Sequence, residues 1–121
     1  MSFVFVENHP FEWPVKVQVP VGGSYETVEI TGLFEIMDDA AFLSPGEGIT
    51  SVSAGIDLEI DRLMEVFKGW KEGDVLTPEK QNLPPTPANI RKFLSQRPAR
   101  LAVTEAYSEA ITPGTGYRAK N

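Results

Sequence analysis

Val15-Lys16-Val17-Gln18-Val19-Pro20-Val21-Gly22-Gly23-Ser24-Tyr25-Glu26-Thr27-Val28-Glu29-Ile30-Thr31 decides the fold of this 121-residue chain. Val15 to Val19 alternates apolar and polar residues with a period of two, the pattern of a strand with one buried face. Pro20 to Ser24 then supplies a turn, in which the paired glycines are free to take positive φ. Tyr25 to Thr31 returns as a second β-prone run, and its continuation through Leu33-Phe34-Glu35-Ile36 extends the hairpin. A chain that opens in this way, with helical periodicity only further on, is α+β with segregated elements.

On the N-terminal side of the hairpin, Phe3 to Val6 is β-branched and aromatic and reads as a further short strand. Asn8-His9-Pro10-Phe11-Glu12-Trp13-Pro14 interrupts it as a stiff turn, because two prolines fix φ and remove donors. On the other side, Met37 to Phe42 suits a helical turn with Asp38 and Asp39 at its start. Leu43 to Gly48 reads as a loop.

Ile56, Ile60, Leu63, Met64, Phe67 and Trp70 recur at spacings of three and four, predicting a long amphipathic helix. Ser53 or Asp57 is its candidate cap, Gly69 weakens its last turn and Gly73 ends it. Residues 74–85 form a Pro-studded loop of a length that tends to be functional or mobile. Thr86 is the N-cap and Pro87 the first residue of a short helix that buries Ile90, Phe93 and Leu94. Pro98 starts another, with Ala99, Ala102, Val103, Ala106, Tyr107 and Ala110 on a small-residue face. Pro113 to Gly116 stops it. The expectation is a single domain over 1–121. Residues 1–36 are mainly β, an antiparallel hairpin or small sheet. Residues 53–112 are mainly α, in three or four helices, and 113–121 form a flexible tail.

Composition bounds the function. Net charge is −6, with 17 acidic and 11 basic residues, and there is no cysteine. Residues 1–50 carry −7 and residues 81–121 carry +4, a polarity that suits head-to-tail self-association or simply a solvated surface. The absence of cysteine excludes a disulfide framework and a thiolate metal site. No apolar run approaches the ~18 residues of a membrane span, and Met1 to Glu7 lacks the features of a signal peptide. A cytosolic protein without membrane or nucleic-acid partners is expected.

No residue pattern looks catalytic. His9 is the only histidine and lies between Asn8 and Pro10, where it reads as a turn residue. Asp57, Asp61 and Glu65 share a helix face that could hold a hard cation, but it lacks the loop geometry of a calcium site and reads as a solvated face. Asp38 and Asp39 suit a cap better than an acid–base pair. No phosphate loop is present. The expectation is therefore no enzyme, no cofactor and no metal.

Contact residues are better represented. Trp70 either plugs the core or anchors a partner. Phe11 and Trp13 either cap the sheet or mark a contact patch, and Tyr107 reads as core with its hydroxyl at the rim. The candidate partner-binding set is Phe11, Trp13, Trp70, Lys71, Arg91, Arg97, Arg100, Tyr117 and Arg118.

The order of these features resembles the tail assembly chaperones of long-tailed bacteriophages. The matching residues are Phe67, Gly69 and Trp70, then Thr86, Asn89 and Ile90, then Ala106, Tyr107 and Ala110, and finally Lys120 and Asn121. Pro14-Val15-x-Val17-x-Val19-Pro20 and the acidic hairpin also fit, so the resemblance spans nearly the whole chain. Asn82-Leu83-Pro84-Pro85 departs from the Leu-Pro-Phe-Ser pattern common before the penultimate helix of the family.

The resemblance implies a phage or prophage protein acting in the host cytoplasm during tail morphogenesis. It would bind the tape measure protein and help recruit tail tube protein; a homo-oligomer is the separate possibility raised by the charge polarity of the chain. A longer form made by ribosomal slippage is also implied, and Ala119-Lys120-Asn121 can be encoded by a slippery run of adenines. The alternatives are a small acidic inhibitor that mimics nucleic acid, which the basic C-terminal third opposes, and a structural tail subunit, for which the chain has little strand.

Overall fold

The computed structural model describes residues 2–38 and 52–112. Strand β1 (Pro10–Val21) turns into β2 (Ser24–Glu35), helix α1 (Val52–Val66) follows, and β3 (Phe67–Trp70) continues directly from it. Helices α2 (Pro87–Ser95) and α3 (Arg97–Ile111) complete the described chain. The sheet is antiparallel with order β1-β2-β3, so the fold is α+β with the sheet first and most of the helix after it.

The hairpin is the one anticipated, but longer. Val21 pairs with Ser24 across Gly22 and Gly23, whose φ values of 54° and 84° give the primed two-residue turn that matches strand twist. Backbone direction follows from the register. The His9 carbonyl accepts from the Ile36 N–H at 3.0 Å, and the Thr31 carbonyl accepts from the Lys71 N–H at 3.2 Å. Odd-numbered residues of β1 therefore bond to β2, and even-numbered ones direct N–H and C=O toward the free edge.

This parity corrects the reading of residues 10–14. Pro10, Pro14 and Pro20 all occupy outward positions of an edge strand, where the missing N–H costs no ladder bond. The Phe11-Glu12-Trp13 segment is thus strand and not turn, with Phe11 and Trp13 on the inner face beside Val15 and Val17. The reverse correction applies to Phe3–Val6. This segment is not a strand: Asn8, at φ 54°, turns the chain between it and β1, and the edge beyond starts at a proline.

The long helix also stops earlier than its apolar stripe suggests. It ends at Val66, and Phe67-Lys68-Gly69-Trp70 is a strand paired with Gly32 to Phe34 across a bulge. Two aromatics around a glycine satisfy a strand as well as a helical stripe, and the pairing with β2 decides between them. Gly69 sits at φ 129°, where a Cβ would lie 2.5 Å from the Pro85 Cβ, so it admits the following loop against β3. Gly73 falls in the turn after β3 and does not end the helix, and Ser53 and Asp57 lie within α1, not at its cap. Met37 and Asp38 are not helical; the rest of the expected 37–42 turn, the 43–48 loop and residues 113–121 lie outside the described residues.

The cap of α2 is as expected, with Thr86 Oγ1 accepting from the Asn89 N–H at 3.2 Å and Pro87 at the helix start. One core joins all the elements. Val15, Phe34, Leu63, Val66, Phe67, Trp70, Leu94, Val103 and Tyr107 are fully enclosed, and α3 lies along β1. Aromatic rings run through it from Phe11 to Phe34 (5.3 Å), Phe34 to Phe67 (5.4 Å) and Phe67 to Trp70 (6.2 Å), within the range of favourable ring contact.

Candidate functional site

Helix α3 brings its small-residue face to β1. Ala102 and Ala106 are buried in the shared core, which lets the helix axis approach the sheet closely, and Tyr107 fills the remaining depth. The helix is antiparallel to the strand: Trp13 Nε1 donates to Glu109 Oε1 at 3.2 Å near one end, and Pro98 lies with Pro20 near the other. The first turns of α3 and the free edge of β1 enclose a groove of about 670 Å³. Lys16, Gln18 and Pro20 form one wall, Pro98 and Leu101 the other, and Tyr25 closes the end. Leu101 and Tyr25 are 59% and 72% exposed, so an open apolar lining faces strand backbone.

The seven sequence-derived contact residues that are described separate into three groups. Phe11 and Trp13 are half-buried and cap the core, Phe11 stacking on Phe34 and lying 6.5 Å from the Tyr107 ring. Trp70 and Arg100 are buried at 1% and 6% exposure, which removes them from the accessible surface. Trp70 Nε1 donates to the Leu83 carbonyl at 2.8 Å. The Arg100 guanidinium donates to the Leu94 and Ser95 carbonyls at 3.0 and 3.4 Å, the end of α2, and pairs with Glu59 at 3.6 Å. A basic group there satisfies helix carbonyls that would otherwise lack donors.

Lys71, Arg91 and Arg97 are exposed. Lys71 pairs with Glu12 at 3.2 Å and Arg91 with Asp61, exposed pairs of small energetic weight. Arg97 stands at the mouth of the β1–α3 groove, the one residue of the set that borders it. Tyr117 and Arg118 lie outside the described residues.

The 74–85 loop is fastened on several sides. Asp74 Oδ2 accepts from the Thr31 N–H at 2.6 Å, Asn82 Oδ1 from the Gly73 N–H at 2.7 Å, and Leu76 bridges to Asn82. Asn89 Nδ2 donates to the Pro84 carbonyl at 2.9 Å.

The groove went unread in the sequence because its walls are distant in the chain. One available signal was the proline spacing along β1, which leaves Lys16 and Gln18 as consecutive outward positions between Pro14 and Pro20. The exposure of the Phe3-Val4-Phe5-Val6 segment, at 88, 77, 74 and 47%, was also missed, since the run was assigned to a strand.

Among the described residues no group of three or more His, Asp or Glu is placed to hold a metal ion, and no helix is long and apolar enough to cross a membrane. No family model, curated protein or solved structure matches the chain.

Proposed function

We propose that the chain is a non-enzymatic tail assembly chaperone of a long-tailed phage or prophage. In this reading it works in the host cytoplasm, binding the tape measure protein and helping to recruit tail tube subunits. The observation that carries the reading is that the separate motifs of the resemblance act as one fastening unit. Gly69 admits Pro85, Trp70 bonds to Leu83, Thr86 caps α2, and Asn89 bonds back to Pro84. Ile90, Ala106 and Tyr107 pack into the same core. Leu83, Pro84 and Pro85, the partners in three of these contacts, belong to the stretch that departs from the family pattern, so the support lies in the motif residues themselves meeting in one place. An exposed face receiving an amphipathic helix of the tape measure protein is the physical mode.

Co-expression with a tape measure protein tests the reading. The expected result is a larger soluble fraction of the tape measure protein and its co-purification with the chain. A tape measure protein equally insoluble with and without the chain, and absent from the purified fraction, overturns it.

A further inference from the structure

The geometry points to self-association by arm exchange: the Phe3–Val6 arm of one copy adds as a strand to the free edge of β1 in the β1–α3 groove of a second copy. Two independent observations meet here. The first is an acceptor. Lys16 and Gln18 turn N–H and C=O away from β2, between Pro14 and Pro20, which offer no donor. An edge otherwise interrupted by prolines leaves one window where a strand can pair. Helix α3 walls that window, and Leu101, Pro98 and Tyr25 provide the apolar contacts that alternate side chains of an added strand need.

The second observation is a donor segment. Phe3, Val4, Phe5 and Val6 are β-prone, consecutive and open to solvent at the fractions given above, and they form no strand within their own chain. Four adjacent large apolar side chains left uncovered mark an interaction segment. The arm continues into Glu7, and the charged side chains bordering the groove are Lys16, Arg97 and Glu105, so the two basic groups outnumber the single carboxylate there.

Reach makes the exchange intermolecular. From Asn8, five extended residues back to Phe3 cover at most about 17 Å, and Phe5 stands only about 10 Å away. The strand from Pro10 to Gln18 runs about 26 Å in the same sheet. An arm folded back on its own β1 therefore meets Glu12 and Pro14 and falls short of the window. The arm that fills it therefore comes from another copy, in a reciprocal dimer or a head-to-tail ring.

Sedimentation of the full chain over a range of concentrations tests the exchange, with circular dichroism confirming that each variant is folded. Wild type is expected to sediment as a dimer or higher multiple. Phe3→Ser/Phe5→Ser should be monomeric, and so should Gln18→Pro, which removes an outward N–H that β2 does not use. Leu101→Asp is the second edge variant, should Gln18→Pro fail to fold. A mixture of the arm variant with an edge variant retains one intact arm and one intact edge, and is expected to form a 1:1 complex. A monomeric wild type, association that survives Phe3→Ser/Phe5→Ser, or a mixture that stays monomeric overturns the proposal.

Discussion

The Tyr107 hydroxyl accepts a hydrogen bond from the backbone N–H of Met37 at 3.0 Å, joining α3 to the chain that leaves β2 across 70 residues of sequence. Tyr107 is buried at 1% exposure, and its ring lies 6.1 Å from that of Phe34. The aromatic body fills the core while the hydroxyl holds a backbone donor at its margin, the usual division of labour for a buried tyrosine.

Tyr107→Phe separates the two roles. It keeps the ring and leaves the Met37 N–H without this acceptor, so a loss of about 1 kcal/mol is expected. Urea unfolding should show a lower midpoint with an unchanged slope. A midpoint equal to wild type would mean that water replaces the hydroxyl at no cost.

Among the described residues Arg100 is the one buried charge, and its value lies in the end of α2 that it satisfies. Arg100→Met preserves much of the side-chain volume but strips the Leu94 carbonyl of its donor, for an expected loss of about 2–3 kcal/mol. Its ionic partner Glu59 is 45% exposed, so solvent screens the pair and Glu59→Gln should cost less than about 1 kcal/mol. Equal losses in the two variants would assign the stabilisation to the ion pair and not to the helix cap.

The contrast between these residues shows what was legible in the sequence. Period-two alternation located the hairpin, and Thr86-Pro87 located the start of α2, because both signals are local. The assignment of Phe67 to Trp70 failed because the deciding interaction is pairing with Gly32 to Phe34, more than thirty residues away. Pro10 and Pro14 were misread for a related reason: a proline breaks a strand or decorates its edge according to which way its missing N–H would point, and only the register supplies that direction. Arg100 looked like surface because arginine usually is. Its burial depends on the close turn between α2 and α3, which directs the guanidinium back onto α2. The β1–α3 groove needed both walls in place before it existed at all.

Gly69 offers a sharper test of the β3 assignment. At φ 129° with Pro85 packed where a Cβ would stand, Gly69→Ala combines backbone strain with a clash and should cost about 3 kcal/mol or more. Adding Pro85→Gly removes the clashing ring and leaves the strain, so the double variant should recover part of the loss beyond additivity. Were residues 67–70 helical, alanine would stabilise the segment instead. A rise in thermal midpoint for Gly69→Ala would therefore reject the strand.

Trp70 makes two distinguishable contributions, and two substitutions resolve them. Trp70→Phe keeps an aromatic core contact but loses the indole bond to Leu83, at a cost of about 1 kcal/mol beyond any repacking. Its main effect should be local, because that bond helps pin the loop after β3: hydrogen exchange or limited proteolysis should quicken between residues 74 and 85. Trp70→Ala empties a fully enclosed site and should cost about 3–5 kcal/mol in global stability. The chain has only two tryptophans, and Trp13 is half-buried, so native emission should shift to longer wavelength when Trp70 is removed. Stability unchanged in Trp70→Ala would show that the indole is not part of the core and would return it to the surface as a candidate anchor for a partner.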